Sequence, residues 1–367
     1  MRLAIVGPTF PFKGGVAQHT TAMAHRLQAA GHTVRIETWR QQYPTFLYPG
    51  IQKLDEPELP VFEPTSATLD WYRPDGWRRV GRALACSQDA VIFVVVTPLQ
   101  LLSYEVMARA CRRAGVHTVA VCHNVLPHEH KPWDRVLTAR FLGLVDGVVV
   151  HSRREQEVAR ALTSRPIELA ALPYFLPPLE RVAGREGRKD SLLFLGFVRS
   201  YKGLDVLLQA LAEAKAKPSL VVAGESWVDD RRLRARVQQL GLEQQVALEL
   251  RYMPMDEIPD LLAAADALAL PYLHGTGSQY PRLAHTFGVP SIVSDTGDLA
   301  DQVRDGVDGL VCPPGDPAAL AAAIDRLYQP GMLERLSMNA RPPDPDAEWR
   351  DYVAVVVRAA NRASGPG

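Results

Sequence analysis

The sequence predicts an α/β protein: two doubly wound parallel sheets in succession, with a helix after the second. Three observations carry that expectation. At 367 residues, 47% apolar and 22% charged, the chain is long enough for two domains that each bury a core. Short apolar runs closed by glycine or proline alternate with helical segments along almost the whole length. One stretch, Pro173–Asp190, breaks the alternation with Pro173, Pro177, Pro178, Gly184, Gly187 and a charged run, a linker by composition. The expected division is 1–180, 181–345 and a C-terminal helix over 346–367 that packs back on the first domain.

In the first half, Arg2–Gly7 reads as a buried strand, Val16–Ala30 as a helix closed by Gly31, and Thr33–Glu37 as the next strand. Gln41–Thr68 is long, proline-rich and interspersed with aromatics, and reads as a loop near a binding face. The rhythm resumes with helix Trp77–Ala85, strand Ala90–Val96, helix Leu101–Ala114 and strand Thr118–Cys122. Helix Asp134–Leu144, strand Gly147–His151, helix Ser152–Leu162 and strand Ile167–Leu172 follow, with Ser152 and Glu155 spaced as a capping box. The second half repeats the grammar: strands Leu192–Gly196, Leu220–Ala223, Val246–Leu250, Ala267–Pro271, Ser291–Ser294 and Gly309–Cys312. Its helices read at Leu204–Ala216, Asp230–Leu240, Met255–Ala264, Ser278–Phe287, Leu299–Asp305 and Pro317–Leu327, and Ala347–Ala363 closes the chain. Two such sheets would leave a cleft between them, the default ligand site.

Several loops suit an anion. After the strand at Leu192, a loop carrying Gly196, Arg199, Lys202 and Gly203 runs straight into a helix, offering cations, free N–H groups and backbone access. The stretch Gly275–Gln279 (GTGSQ) precedes another helix; Gly275 and Gly277 keep the backbone open, and Ser278 is placed to N-cap the helix and to donate to a phosphate oxygen. Either loop could be a plain surface turn, but two in one domain favour a diphosphate. Gly14 and Gly15, before the first helix, suit an approaching phosphate or simply a tight turn. The absence of GxGxxG argues against a dinucleotide. His123 ends the strand Thr118–Cys122, where parallel sheets bind ligands; the rival readings are a structural cap or a metal cluster with His128 and His130. The metal reading suffers from a proline-containing loop without companion carboxylates or thiolates.

The formal net charge is zero, which gives no global field for nucleic acid, yet Met1–Arg185 holds 22 Lys+Arg against 16 Asp+Glu. Trp77, Arg78, Arg79 and Arg82, with Arg109, Arg112 and Arg113, form basic clusters that are either solvated helix faces or a contact for anionic lipid. Cys86, Cys111, Cys122 and Cys312 show no CxxC and read as thiols of a reducing compartment. No stretch approaches the roughly 20 apolar residues that span a bilayer, and MRLAIVG is too short for a signal core. The expectation is a cytoplasmic protein, peripheral at most to the inner face of the cell membrane.

With these residues in view, the chain resembles glycosyltransferase family 4, retaining enzymes of the GT-B architecture with two Rossmann-like sheets. GGVAQHT (Gly14–Thr20) and AGH (Ala30–His32) resemble the family's opening helix, and VCHN (Val121–Asn124) its histidine-bearing strand end. LGFVRSYKGLDVLLQA resembles the first strand and helix of the second domain, while FGVPSIVSDTG (Phe287–Gly297) and DGVDGLVCPPGDPAALAAAI resemble the closing section. The resemblance implies transfer of a sugar from a nucleoside-diphosphate sugar, as co-substrate and without metal or cofactor, to a glycan or lipid-linked acceptor in cell-surface or exopolysaccharide synthesis. It implies that His123 sits at the transferred sugar and steadies the transition state. Gly14 and Gly15, Arg199 and Lys202, and Ser278 and Gln279 would hold the diphosphate, with Gly275, Gly277 and Tyr280 near the donor sugar and nucleotide. The family's usual arginine after the first-strand glycine is Phe197 here, with Arg199 two residues on. Its usual glutamates, eight apart, fall on Gly275 and Leu283. Those losses motivate the alternative of a catalytically degenerate member that partners another glycosyltransferase. An epimerase on the same plan lacks assignable acid–base carboxylates, and a solute receptor lacks an export signal.

Overall fold

The computed structural model describes residues 1–44, 52–57, 60–127, 131–176, 179, 189–275 and 277–361. The chain divides into two compact units: Met1–Phe175 with the stretch from Pro345 onward, and Leu176–Asp344.

In the first unit β1 (Arg2–Val6), α1 (Gly15–Ala29), β2 (Thr33–Gln41), β3 (Thr65–Asp70), α2 (Pro74–Ser87), β4 (Ala90–Val95) and α3 (Pro98–Arg113) succeed one another. Then come β5 (His117–Cys122), α4 (Pro132–Leu144), β6 (Gly147–Val150), α5 (Arg153–Arg160) and β7 (Ile167–Leu169). Every strand pairing is parallel, in the order β3-β2-β1-β4-β5-β6-β7. A parallel sheet covered on both faces demands continuous apolar strands, and AVIFVV of β4 is buried at all six positions. Each such Val or Ile contributes about 1.5–3 kcal/mol by leaving water. The long loop expected over Gln41–Thr68 is shorter than that: β2 runs on to Gln41, and Thr65–Asp70 pairs with it as the edge strand β3. The capping box forms by half. Ser152 Oγ accepts from the Glu155 amide (3.2 Å), but the Glu155 carboxylate turns to the Val125 amide (2.5 Å) instead of the cap.

The second unit holds β8 (Ser191–Leu195), a 3-10 turn at Ser200–Lys202, α6 (Leu204–Glu213), β9 (Ser219–Ala223), α7 (Asp230–Gln239), β10 (Val246–Glu249) and α8 (Ile258–Ala264). It continues with β11 (Ala267–Leu270), α9 (Tyr280–Thr286), β12 (Ser291–Ser294), β13 (Gly309–Cys312), α10 (Pro317–Leu327) and α11 (Met332–Asn339). Its six parallel strands are ordered β10-β9-β8-β11-β12-β13. The expected helix Leu299–Asp305 is a single 3-10 turn over Ala300–Gln302, because Val303 is already extended; α11 has no counterpart in the sequence reading.

The terminal helix α12 (Pro345–Asn361) belongs to the first unit, packing on α1 and along β4–β7. Trp349 Nε1 donates to the Tyr174 carbonyl (2.9 Å) and the Tyr174 amide donates to Glu348 (2.8 Å), which also ties Pro173–Phe175 of the expected linker to this unit. Among the described residues no helix is long and apolar enough to cross a membrane, and no group of three or more His, Cys, Asp or Glu is arranged to hold a metal. His128 and His130 lie outside the described residues.

Candidate active site

In the second sheet the strand order reverses between β8 and β11, and ligands of open parallel sheets bind beyond the carboxyl ends of strands at such a switch point. The two anion loops read from the sequence follow those two strands. They are tied together: the Leu273 amide donates to the Tyr201 carbonyl (2.7 Å), and the Tyr201 ring stacks on His274 at 5.6 Å. Gly203, in the left-handed region at φ 70°, closes the 3-10 turn and opens α6, and so lets the chain reverse against Pro271.

That turn carries Lys202 inward. Its side chain is 6% exposed, with Nζ 5.2 Å from the centre of the Tyr272 ring and 5.9 Å from that of Tyr280. It lies over Gly196, where a Cβ would stand 3.0 Å from Nζ and 2.7 Å from Tyr280 Cε2; only a glycine keeps both side chains over the strand end. No carboxylate pairs with Lys202 among the described residues, and burial pushes its ammonium down to about 8, with Arg199 adding repulsion. A buried cation without a counter-charge is costly unless something anionic binds it. Arg199 is held by its neighbour Trp227, the guanidinium carbon 3.8 Å from the indole centre, and its Nε is buried without a hydrogen-bond partner among the described residues. Phe197 packs on the same indole at 5.8 Å.

The second loop departs from expectation at its cap. Gln279, not Ser278, is the N-cap of α9, and no side chain caps that helix; Ser278 Oγ accepts from the Tyr280 amide at 3.3 Å, a local turn. Gln279 Oε1 is buried without a partner among the described residues. Gly275 is buried and Gly277 exposed. A Cβ on Gly277 would meet the Asp298 carboxylate at 2.5 Å, and burial pushes that carboxyl up to about 7. The Tyr272 phenol, 2% exposed, is pushed up to about 12 by burial, an effect that Asp298 reinforces and a hydrogen bond with Ser278 lessens. Leu283 is core, at 1% exposure.

In the first unit the switch falls between β1 and β4. Gly14, at φ 102°, is the N-cap of α1, and Gly15 is exposed at its first turn with no capping side chain. One turn further, His19 is fully buried against His123, which follows β5: His123 Nε2 lies 3.1 Å from His19 Nδ1. His151, at the end of β6, joins them with ring centres 5.0 Å from His123 and 5.8 Å from His19. Burial pushes all three imidazoles down, His151 to about 4, and their mutual repulsion adds to this for His19 and His123. The cluster is therefore neutral at physiological pH. Trp349 and Tyr352 of α12 cover it, with the Trp349 ring stacked on His19 at 5.5 Å.

Lys202, Arg199, Gly196, Tyr280, Gly275 and Gly277–Gln279 are thus brought to one strand-end region, and Gly14–Gly15 and His123 to their own. Sequence reading missed His19, His151, Trp349, Tyr352, Tyr272, Trp227 and Asp298. His19 stands four residues after Gly15 and Trp349 three before Tyr352, helical spacings that mark an inward face without revealing what lies opposite.

The two parallel sheets, each with its own switch point, are an α/β architecture of the GT-B class, and comparison with known proteins gives the family. The model described as Glycosyl transferases group 1 matches residues 179–342, and that described as Glycosyl transferase 4-like domain matches residues 14–174. The chain is 30% identical to D-inositol 3-phosphate glycosyltransferase 1 of Catenulispora acidiphila over 69% of its own length and 68% of the relative's. It is 26% identical to the D-inositol 3-phosphate glycosyltransferase of Acidothermus cellulolyticus, over 94% and 84%. Against the corresponding enzyme of Streptomyces bingchenggensis the match spans 56% of the relative's length. Among solved structures, sucrose-phosphate synthase from Thermosynechococcus elongatus shares the fold at TM-score 0.75 and 18% identity, over 97% of this chain and 96% of that one. Anabaena HepE in complex with UDP and glucose shares it at 0.70 and 15%, over 98% and 97%. The chain belongs to glycosyltransferase family 4, and it is a glycosyltransferase.

Proposed function

We propose that this glycosyltransferase transfers, with retention, a sugar from a nucleoside-diphosphate sugar to a glycan or lipid-linked acceptor in cell-surface polysaccharide synthesis. The observation that carries the reading is Lys202: a buried ammonium with no carboxylate partner among the described residues, beside a second cation, at the sheet's switch point. As the glycosidic bond breaks, negative charge develops on the departing diphosphate, and fixed positive charge there stabilises the transition state. Lys202 and Arg199 supply that charge in place of a metal, Ser278 and Gln279 hold the same group, and Gly275, Gly277 and Tyr280 line the donor. In the first unit, taken by itself, the α1 N-terminus at Gly14 and Gly15 suits a phosphate, and neutral His123 suits the sugar. The UDP and glucose held by the Anabaena neighbour support a donor of this class.

A lipid-linked acceptor and contact with the inner face of the membrane draw support from α2 and α3. Arg78, Arg82, Arg109 and Arg113 line a groove of about 410 Å³ between these helices, floored by Ala85, Val106 and Ala110. Arg109 pairs with Glu105 (2.7 Å), while the other three have no carboxylate partner among the described residues.

A thermal-shift panel of UDP, GDP, ADP and dTDP tests the donor reading. A nucleotide at a hundredfold excess over its Kd adds about 2.7 kcal/mol to the fold. One nucleotide should stabilise the wild type and not Lys202→Ala; no shift with any of them overturns the donor site.

A further inference from the structure

The three buried histidines hold more than the proposed function uses. His19 is 0% exposed and enclosed on every side by rings: Trp349 stacked at 5.5 Å and 18°, Tyr352 edge-on at 5.2 Å, Phe175 at 5.5 Å and His123 at 4.8 Å. Among the described residues its one polar contact is the 3.1 Å approach of Nδ1 to His123 Nε2. Both imidazoles are pushed down by burial, so the pair is neutral and one proton lies between the two nitrogens. Which ring donates follows from the far side of His19. Its Nε2 is buried with no partner among the described residues. If His123 donated, the His19 proton would sit on that Nε2 as an orphaned N–H, the costlier and rarer of the two unsatisfied states. His19 therefore donates from Nδ1, His123 accepts at Nε2, and the His123 proton is left on Nδ1. His151 does not compete, because its Nδ1 donates to the Ala170 carbonyl (3.1 Å).

We infer that His19, clamped by Trp349 of the terminal helix, is a positioning residue for His123: it fixes the ring through Nε2 and sets its tautomer as Nδ1–H. This rests on the proposed role of His123 only where turnover is concerned; the tautomer stands independently of it. With the proton on Nδ1, His123 has one fixed donor to present, and a group that meets a transition state gains from being oriented beforehand.

Nitrogen-15 NMR of the imidazoles in the full chain tests this directly. Wild type should show His123 as a single Nδ1–H tautomer. His19→Leu fills the ring's space without a donor and should release His123 toward the Nε2–H form, whereas the amide of His19→Asn replaces the Nδ1 donor and should restore it. A wild-type His123 protonated on Nε2, or a tautomer indifferent to His19→Leu, overturns the inference, and the first of these needs no variant to fold. Turnover, with the nucleotide sugar that the panel selects, should fall about 10- to 100-fold in kcat in His19→Leu with KM little changed, and recover in His19→Asn. If the tautomer responds while kcat in His19→Leu and in His123→Ala both hold, the positioning stands and the role of His123 in the reaction fails.

Discussion

The carbonyl oxygen of Pro271 stands 1.9 Å from the point where Gly203 would carry a Cβ. With φ at 70°, the position excludes any side chain twice over, by backbone conformation and by collision with backbone that cannot yield cheaply. Gly203→Ala should cost at least about 2 kcal/mol, of which the left-handed conformation alone accounts for about 1. Gly31→Ala, at φ 86° with nothing within 4 Å, isolates the conformational part. Urea unfolding of the two variants decides the matter: equal losses would mean that the loops after β8 and β11 do not press on each other.

Lys202 sets opposite demands on stability and binding. Its folded-state pKa, about 8, lies below the ordinary 10.5, so the unfolded chain holds the extra proton between those values and Lys202 favours folding more as pH rises through that window. Below pH 8 the penalty is present in full. Lys202→Met should therefore be more stable than wild type at pH 7 without nucleotide, by roughly 1–3 kcal/mol, and should lose the nucleotide shift. Wild-type affinity for the selected nucleoside diphosphate should weaken as pH rises through about 8, which calorimetry in buffers of different ionisation enthalpy reads as proton uptake above that pH.

Arg199 depends on Trp227 for its place. Trp227→Leu removes the indole face at 3.8 Å from the guanidinium and should weaken nucleotide binding two- to fivefold, the worth of about 0.5–1 kcal/mol of cation–π contact. An affinity unchanged in Trp227→Leu but lowered in Arg199→Ala would show that Arg199 finds its position unaided.

Glu155 anchors the loop that carries His123 by accepting from the Val125 amide (2.5 Å). Burial raises its pKa against the opposing pull of that bond and of Arg154, so the ionised form is penalised at neutral pH and the penalty disappears once pH falls below the unfolded value. Glu155→Gln, which keeps an acceptor, should be at least as stable as wild type at pH 7, with the difference closing near pH 4. Glu155→Ala should lose about 1–3 kcal/mol at both, because the Val125 amide is left buried and unpaired. Denaturant titrations at the two pH values check the signs.

The arginine groove makes a charge prediction. Replacing Arg78 and Arg82 together with glutamate should abolish co-sedimentation with phosphatidylglycerol vesicles and leave the nucleotide thermal shift intact. Vesicle binding that survives the reversal would remove α2 from the contact.

Much of this architecture was written in local pattern. β4, β5, β8 and β11 are continuous apolar runs and were legible as such, and the Lys202–Gly203 turn was legible because its parts adjoin in the chain. β3 was not: TSATLD is half-buried and polar at a sheet edge, where pairing with β2 supplies what its side chains do not. The 3-10 turn at Ala300–Gln302 carried helical residues but was cut short by Val303. Within the site, Lys202, Arg199 and His123 are legible from their loops. His19 is not, since its partner lies 104 residues away and only the adjacency of β1, β4 and β5 brings the two rings together. Trp227 and Asp298 likewise act across loops that sequence order keeps apart.

The return of α12 to the first unit has a consequence for synthesis. Leu176–Asp344 is a continuous stretch and has every part of its own sheet once residue 344 has been made, whereas the unit begun by Met1 must wait for Pro345–Asn361. A growing chain usually completes its N-terminal domain first; here the order is inverted. Until Trp349 arrives, His19 has no indole to rest on, so the histidine cluster closes only after every residue of the second unit has been made.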